Sequence, residues 1–84
     1  MAILITTDGM VTHIQPNNDT DFTLEELQTY VGGFIEIIRL PKDNILVVNE
    51  EGLLQDMQIN TYASLLAQQT IVGNVVYCKD NQIK

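Results

Sequence analysis

Apolar and polar positions divide this chain into short runs, each with its own punctuation. Ala2-Ile3-Leu4-Ile5-Thr6 and Val11-Thr12-His13-Ile14-Gln15 are strand-like arms on either side of Thr7-Asp8-Gly9-Met10. Asp-Gly between such arms predicts a hairpin. Pro16 to Phe22 is rich in turn formers and shows no period, which predicts a solvated surface loop. Thr23-Leu24-Glu25-Glu26 has the spacing of a capping box, in which the Thr23 hydroxyl accepts from the Glu26 amide and the Glu26 carboxylate reaches back. A helix should start there, with Leu24, Leu27, Tyr30 and Val31 on its buried face. Gly32 should end it, because glycine takes the left-handed cap without steric cost.

Phe34 to Leu40 and Ile45 to Asn49 are β-branched runs joined by Pro41-Lys42-Asp43-Asn44, which predicts an antiparallel pair at the sheet's centre. The unbroken apolar run Ile45 to Val48 predicts a strand covered on both faces, one by a helix and the other by a second helix or a partner. Asn49-Glu50-Glu51-Gly52 reads as a turn in which Gly52 supplies a positive φ. Leu53 to Ile59 fits no single pattern and is compatible with a short strand. Asn60 or Thr61 can cap a second helix with Tyr62, Leu65 and Leu66 on its buried face. Thr70 to Cys78 reads as one strand with a bulge at Gly73. The expected architecture is a single α+β domain over residues 1–84, in the order β-β-α-β-β-α-β. Its five-stranded sheet should be mostly antiparallel, with a mixed sheet as the alternative.

Composition changes this picture mainly by exclusion. The net charge of −7 leaves Arg39, Lys42, Lys79 and Lys84 against eleven acids. Nucleic-acid affinity comes largely from cations displacing counterions, so neither nucleic acid nor an anionic membrane surface is expected as a partner. Basic proteins, cations and neutral small molecules fit the charge better. One cysteine, Cys78, rules out an internal disulfide and suits a reducing cytoplasm. The apolar stretch at Ala2 to Ile5 is too short for a signal peptide or a membrane span.

Few constellations carry chemistry. Gly32-Gly33 follows a predicted helix rather than preceding one, so it reads as a helix stop and not as a phosphate cradle. Asn17, Asp19 and Asp21 have the opening spacing of a calcium loop, but Phe22 occupies the glycine position and Gln28 the glutamate position, so no metal site is expected. Glu50-Glu51 sits in a turn rather than across a substrate. Glu36 interrupts Phe34 to Ile38 and marks either the solvent face or a functional burial. His13 and Cys78 are separated by nearly the whole chain and have no local partners. No cofactor and no enzymatic activity are expected. Ile59 to Cys78 contains no charged residue in an otherwise acidic chain, which predicts either core or a covered interface.

Leu24-Glu25-Glu26-Leu27-Gln28, Val31-Gly32-Gly33-Phe34-Ile35-Glu36, Val48-Asn49-Glu50-Glu51-Gly52, and Asn60, Ala63-Ser64 and Ile71-Val72-Gly73 together resemble a family of short bacterial and phage proteins. That family is a domain of unknown function, number 3846, often carried on mobile elements. The resemblance spans most of the chain and brings no reaction, cofactor or catalytic residue to transfer. It implies an accessory role such as binding a host protein. Two readings result. In the first, a non-catalytic interaction module uses an acidic face of Asp19, Asp21, Glu25 and Glu26 toward a host protein, and docks or dimerises through its uncharged C-terminal third. The alternative is a small-molecule-sequestering protein. Glu36, Asn49, Glu50 and Asn60 are the binding candidates.

Overall fold

A computed structural model of the chain describes residues 2–83, so Lys84 lies outside the description. Its elements are β1 (Ala2–Ile5), β2 (Val11–Ile14), α1 (Leu24–Val31), β3 (Ile35–Arg39), β4 (Asn44–Asn49), α2 (Thr61–Ala67) and β5 (Val75–Lys79), followed by a 3-10 turn at Asp80–Gln82. The expected α+β order is therefore observed, and all four strand pairings are antiparallel. The sheet order is β2-β1-β5-β4-β3. The β3–β4 hairpin is therefore not the sheet's centre as expected: each hairpin supplies one edge strand, and β5 joins them in the middle. Lys42 and Asp43 both take positive φ, 63° and 62°, giving the β3–β4 loop the backbone twist that two-residue hairpins require.

Directly paired residues in an antiparallel sheet share a face, so the register sorts the side chains into two layers. On one face Ala2, Ile45, Val47, Val76 and Cys78 pack with Leu27 and Val31 of α1. On the other, Ile3, Ile5, Leu46, Val48 and Val75 pack with Ala63 of α2 and Ile71. The helices thus lie on opposite faces. Ile45, Leu46 and Val47 are fully buried, as the unbroken apolar run predicts. Burying each such side chain stabilises the fold by about 1.5–3 kcal/mol.

The capping box of α1 forms as the sequence predicts, with Glu26 N–H donating to Thr23 Oγ1 and Thr23 N–H donating to Glu26 Oε1. Gly32 ends the helix at φ 82°, its amide donating to the Gln28 carbonyl. The loop before α1 differs from expectation. Pro16 is buried, and Phe22 is fully buried with its amide donating to the Gln82 carbonyl at 2.6 Å and its ring edge-on to Tyr30. An apolar ring placed beside a helix start can fill the gap between helix and sheet, and that packing outweighs the turn-rich composition around it.

Four further expectations are corrected. Leu24 is exposed, because α1 rests on the sheet through Leu27 and Val31 alone, with Tyr30 half-buried. The buried face of α2 is Ala63 flanked by Leu66 and Ala67, while Tyr62 and Leu65 point to solvent. A seven-residue helix docking through a methyl group sits close to the sheet, and its larger residues fall outside that contact. Gly52 does not adopt positive φ; an added Cβ there would come within 2.7 Å of Val72 Cγ2, so close approach is what requires glycine. The predicted long strand from Thr70 breaks at Gly73, which takes φ 79° beneath Met57, leaving Val72 in an isolated bridge with Ile59. Among the described residues no helix is long and apolar enough to cross a membrane.

Candidate functional site

The unequal reach of the two helices leaves a concavity on one face of the sheet. On the α1 face the helix covers β3, β4 and β5. On the opposite face Ala63 packs with residues of β1, β4 and β5, and the outer half of the β3–β4 hairpin is left as the floor of an open groove of about 400 Å³. Ile38 and Val48 form this floor, Gln69 to Val72 form one wall, and Leu53 and Leu54 close one end. Glu36 and Glu50 stand on the rim. Glu36 pairs with Val48, two residues from Glu50, so the hairpin register brings the two carboxylates to the same end.

The other two candidates have different positions. Asn49 lines the groove but is only 5% exposed, and its side chain is committed: Nδ2 donates to the Val31 carbonyl at the end of α1, and Oδ1 accepts from the Glu51 amide at 2.7 Å. Asn60 lies elsewhere and is fully buried. Its Oδ1 caps α2 by accepting from the Ala63 amide, while Nδ2 donates to the carbonyls of Ile5 and Gly73 at 3.0 and 2.9 Å. Ser64 extends this network, its Oγ accepting from the Ile71 amide at 2.8 Å. Both asparagines therefore hold helices to the sheet and present no free amide to a ligand.

Of the acidic residues, Glu25 and Glu26 belong to α1, on the sheet face opposite the groove. Asp19 and Glu25 are exposed, and Asp21 accepts from Asn18 Nδ2 within the loop. Glu26 accepts from the amides of Thr23 and Asn17, and these backbone hydrogen bonds hold its carboxyl below the ordinary value of 4.5, the Thr23 bond contributing most. Because the folded-state value is depressed, the stabilisation is present above 4.5 and disappears as pH falls through the folded value. Glu26→Gln should consequently flatten the acid limb of a urea-midpoint profile between pH 6 and pH 3. An unchanged limb would remove the capping carboxylate from the account of acid sensitivity.

The chemistry available in the groove is that of two carboxylate acceptors, Glu36 and Glu50, with the amide of Gln69 and the hydroxyl of Thr70, over apolar surface. The described residues lining it include no histidine, cysteine, lysine or arginine. His13 is exposed on edge strand β2, on the sheet face of Ile3, whereas Cys78 is buried on the opposite face. Burial pushes the Cys78 thiol up to about 11. Among the described residues no three His, Cys, Asp or Glu side chains are grouped to hold a metal ion.

Sequence reasoning identified Glu36 and Glu50 but not Leu53, Leu54, Gln69 or Thr70. The available signal was Leu53-Leu54 itself, two large apolar residues directly after a turn, where no periodic element required them. In comparisons with known proteins, the family model described as Domain of unknown function (DUF3846) matches residues 1–83. No curated protein matches the chain. No solved structure matches it either.

Proposed function

The chain belongs to the DUF3846 family, and from that premise we propose that it is a non-catalytic protein-interaction module. One observation carries the reading: the uncharged segment and the turn before it leave several large apolar side chains on the surface. Leu54 is 84% exposed, Leu65 75%, Leu53 71% and Ile59 60%. Tyr62 stands beside Leu65 on the outer face of α2 and is also exposed. Apolar side chains left uncovered beside one another, as Leu53 with Leu54 and Tyr62 with Leu65 are, are the kind of surface that a partner protein covers. Aromatic and aliphatic anchors of this kind dominate binding energies when a partner desolvates them.

Association with mobile elements, implied by the family resemblance, favours a host protein in the cytoplasm as that partner. The test is capture from native-host lysate with wild-type protein, Leu65→Glu and Glu25→Lys. Leu65→Glu leaves the core intact and should reduce recovery of the captured protein at least about tenfold, the loss expected for a hot-spot residue. Glu25→Lys reports separately on the acidic face. Equal recovery with Leu65→Glu would remove the support for docking through α2. A second reading, small-molecule sequestration, draws on the groove's volume. It predicts a ligand-dependent rise in melting temperature that Val48→Phe, by filling the floor, abolishes.

A further inference from the structure

Strand β3 is an open edge of the sheet, and its hydrogen-bonding groups can be assigned from the ends of the hairpin. The Phe34 carbonyl accepts from the Glu50 amide at 2.8 Å, and the Leu40 amide donates to the Asn44 carbonyl at 2.8 Å. Antiparallel ladders alternate, so even-numbered positions between them turn their backbone groups toward β4. The amides and carbonyls of Ile35, Ile37 and Arg39 therefore face away from the sheet. Natural sheets protect such an edge with proline, a bulge, a covering element or charged side chains, and the charges on β3 are Glu36 and Arg39. Here β3 contains no proline, and its pairing with β4 runs without a bulge over all five residues.

Charge and apolar surface beside this edge specify what it can take. Glu36 and Glu50 lie at one end of the hairpin, whereas Arg39, Lys42 and Lys79 all lie toward the other, with Arg39 paired to Asp80 and Lys79 donating to the Lys42 carbonyl. The groove end is thus negative in a chain of net charge −7. Ile38 is half-buried on the groove side, and Ile35 and Ile37 are half-buried on the other.

Resting on the interaction-module reading, we propose that β3 accepts an extended segment of a partner protein as a sixth strand, with a lysine or arginine opposite Glu36 and β-branched residues opposite Ile35, Ile37 and Ile38. Main-chain hydrogen bonds supply affinity in strand addition, and alternate side chains supply specificity. A second copy of this chain is a poorer occupant. Two bodies of charge −7 repel, and the self-pairing centred on Glu36 sets like carboxylates directly opposite each other.

The test is fluorescence anisotropy at low salt with labelled peptides built around Val-Lys-Val-Ile, compared with Val-Glu-Val-Ile. The lysine peptide should bind at least about fivefold more tightly than the glutamate peptide, and Glu36→Lys should reverse the preference. N-methylation provides a control on unaltered protein. Blocking one alternate set of peptide amides should abolish binding, and blocking the other should leave it, because only one set faces the edge. Equal binding of the two N-methylated peptides, or of the lysine and glutamate peptides, overturns strand addition. So does concentration-dependent dimerisation that excludes the peptide. A host protein captured through Leu65 but indifferent to peptide competition and to Glu36→Lys also overturns it, while the interaction-module reading stands.

Discussion

Asn60→Ala is expected to destabilise the protein by about 3–4 kcal/mol, composed of a lost N-cap worth about 1 kcal/mol and two lost hydrogen bonds from a buried amide at about 1 kcal/mol or more each. The Asn60 side chain joins three parts of the molecule: the start of α2, the end of β1 and the break at Gly73. For a chain of this size, the loss corresponds to a fall of about 3 M in the urea midpoint. Asn60→Asp makes the experiment specific. It retains the cap acceptor but replaces two donors with lone pairs aimed at the Ile5 and Gly73 carbonyls, so at neutral pH it should be worse than alanine. Acidification should narrow the difference, because a protonated carboxyl regains one donor. If both variants stay within about 1 kcal/mol of wild type, the inter-element role of Asn60 is wrong.

The second large effect is expected at Phe22. Phe22→Ala should cost about 3–5 kcal/mol, the usual range for emptying a buried aromatic site. The ring is fully buried, with its centroid 6.3 Å from that of Tyr30 and the two planes at 81°. Backbone on either side is also fixed, since Phe22 bridges to Ile83 and Thr23 caps α1. The cavity therefore has little freedom to collapse. Phe22→Leu should recover more than half of the loss in equilibrium unfolding, whereas a surface position in a solvated loop would show no loss with either variant.

Phe22 also marks where the sequence became hard to read. Its neighbours Asn17 to Asp21 carry a turn composition, and a lone apolar residue at the end of such a run has no period to assign it to the core. Where several residues act together, the pattern was legible. The continuous Ile45 to Val48 run announced burial on two faces, and Thr23 with Glu26 announced the start of α1. Helix α2 shows the opposite problem: Tyr62, Leu65 and Leu66 have helical spacing, but period alone identifies a side of the helix without saying whether protein or solvent lies against it. The groove was half legible. Glu36 interrupts an apolar strand, and hairpin register carries Glu50 to it. Gln69 and Thr70 reach the site only through the placement of α2 on the sheet, a long-range fact with no local trace. Asn49 and Asn60 stood out correctly as polar residues at element ends, yet their hydrogen bonds turn inward.

The position of β5 has a consequence for biosynthesis. The two hairpins are complete early in the chain, but neither pairs with the other; both attach only to Val75–Lys79. During translation β1 and β4 must therefore wait with unsatisfied inner edges until Val75–Lys79 has left the ribosome. Such a topology makes folding wait on distant pairings, which slows it for so small a body. It also makes a chain stopped at Asn74 two hairpins without a seam, a species whose exposed inner strands are suited to aggregation or to chaperone capture.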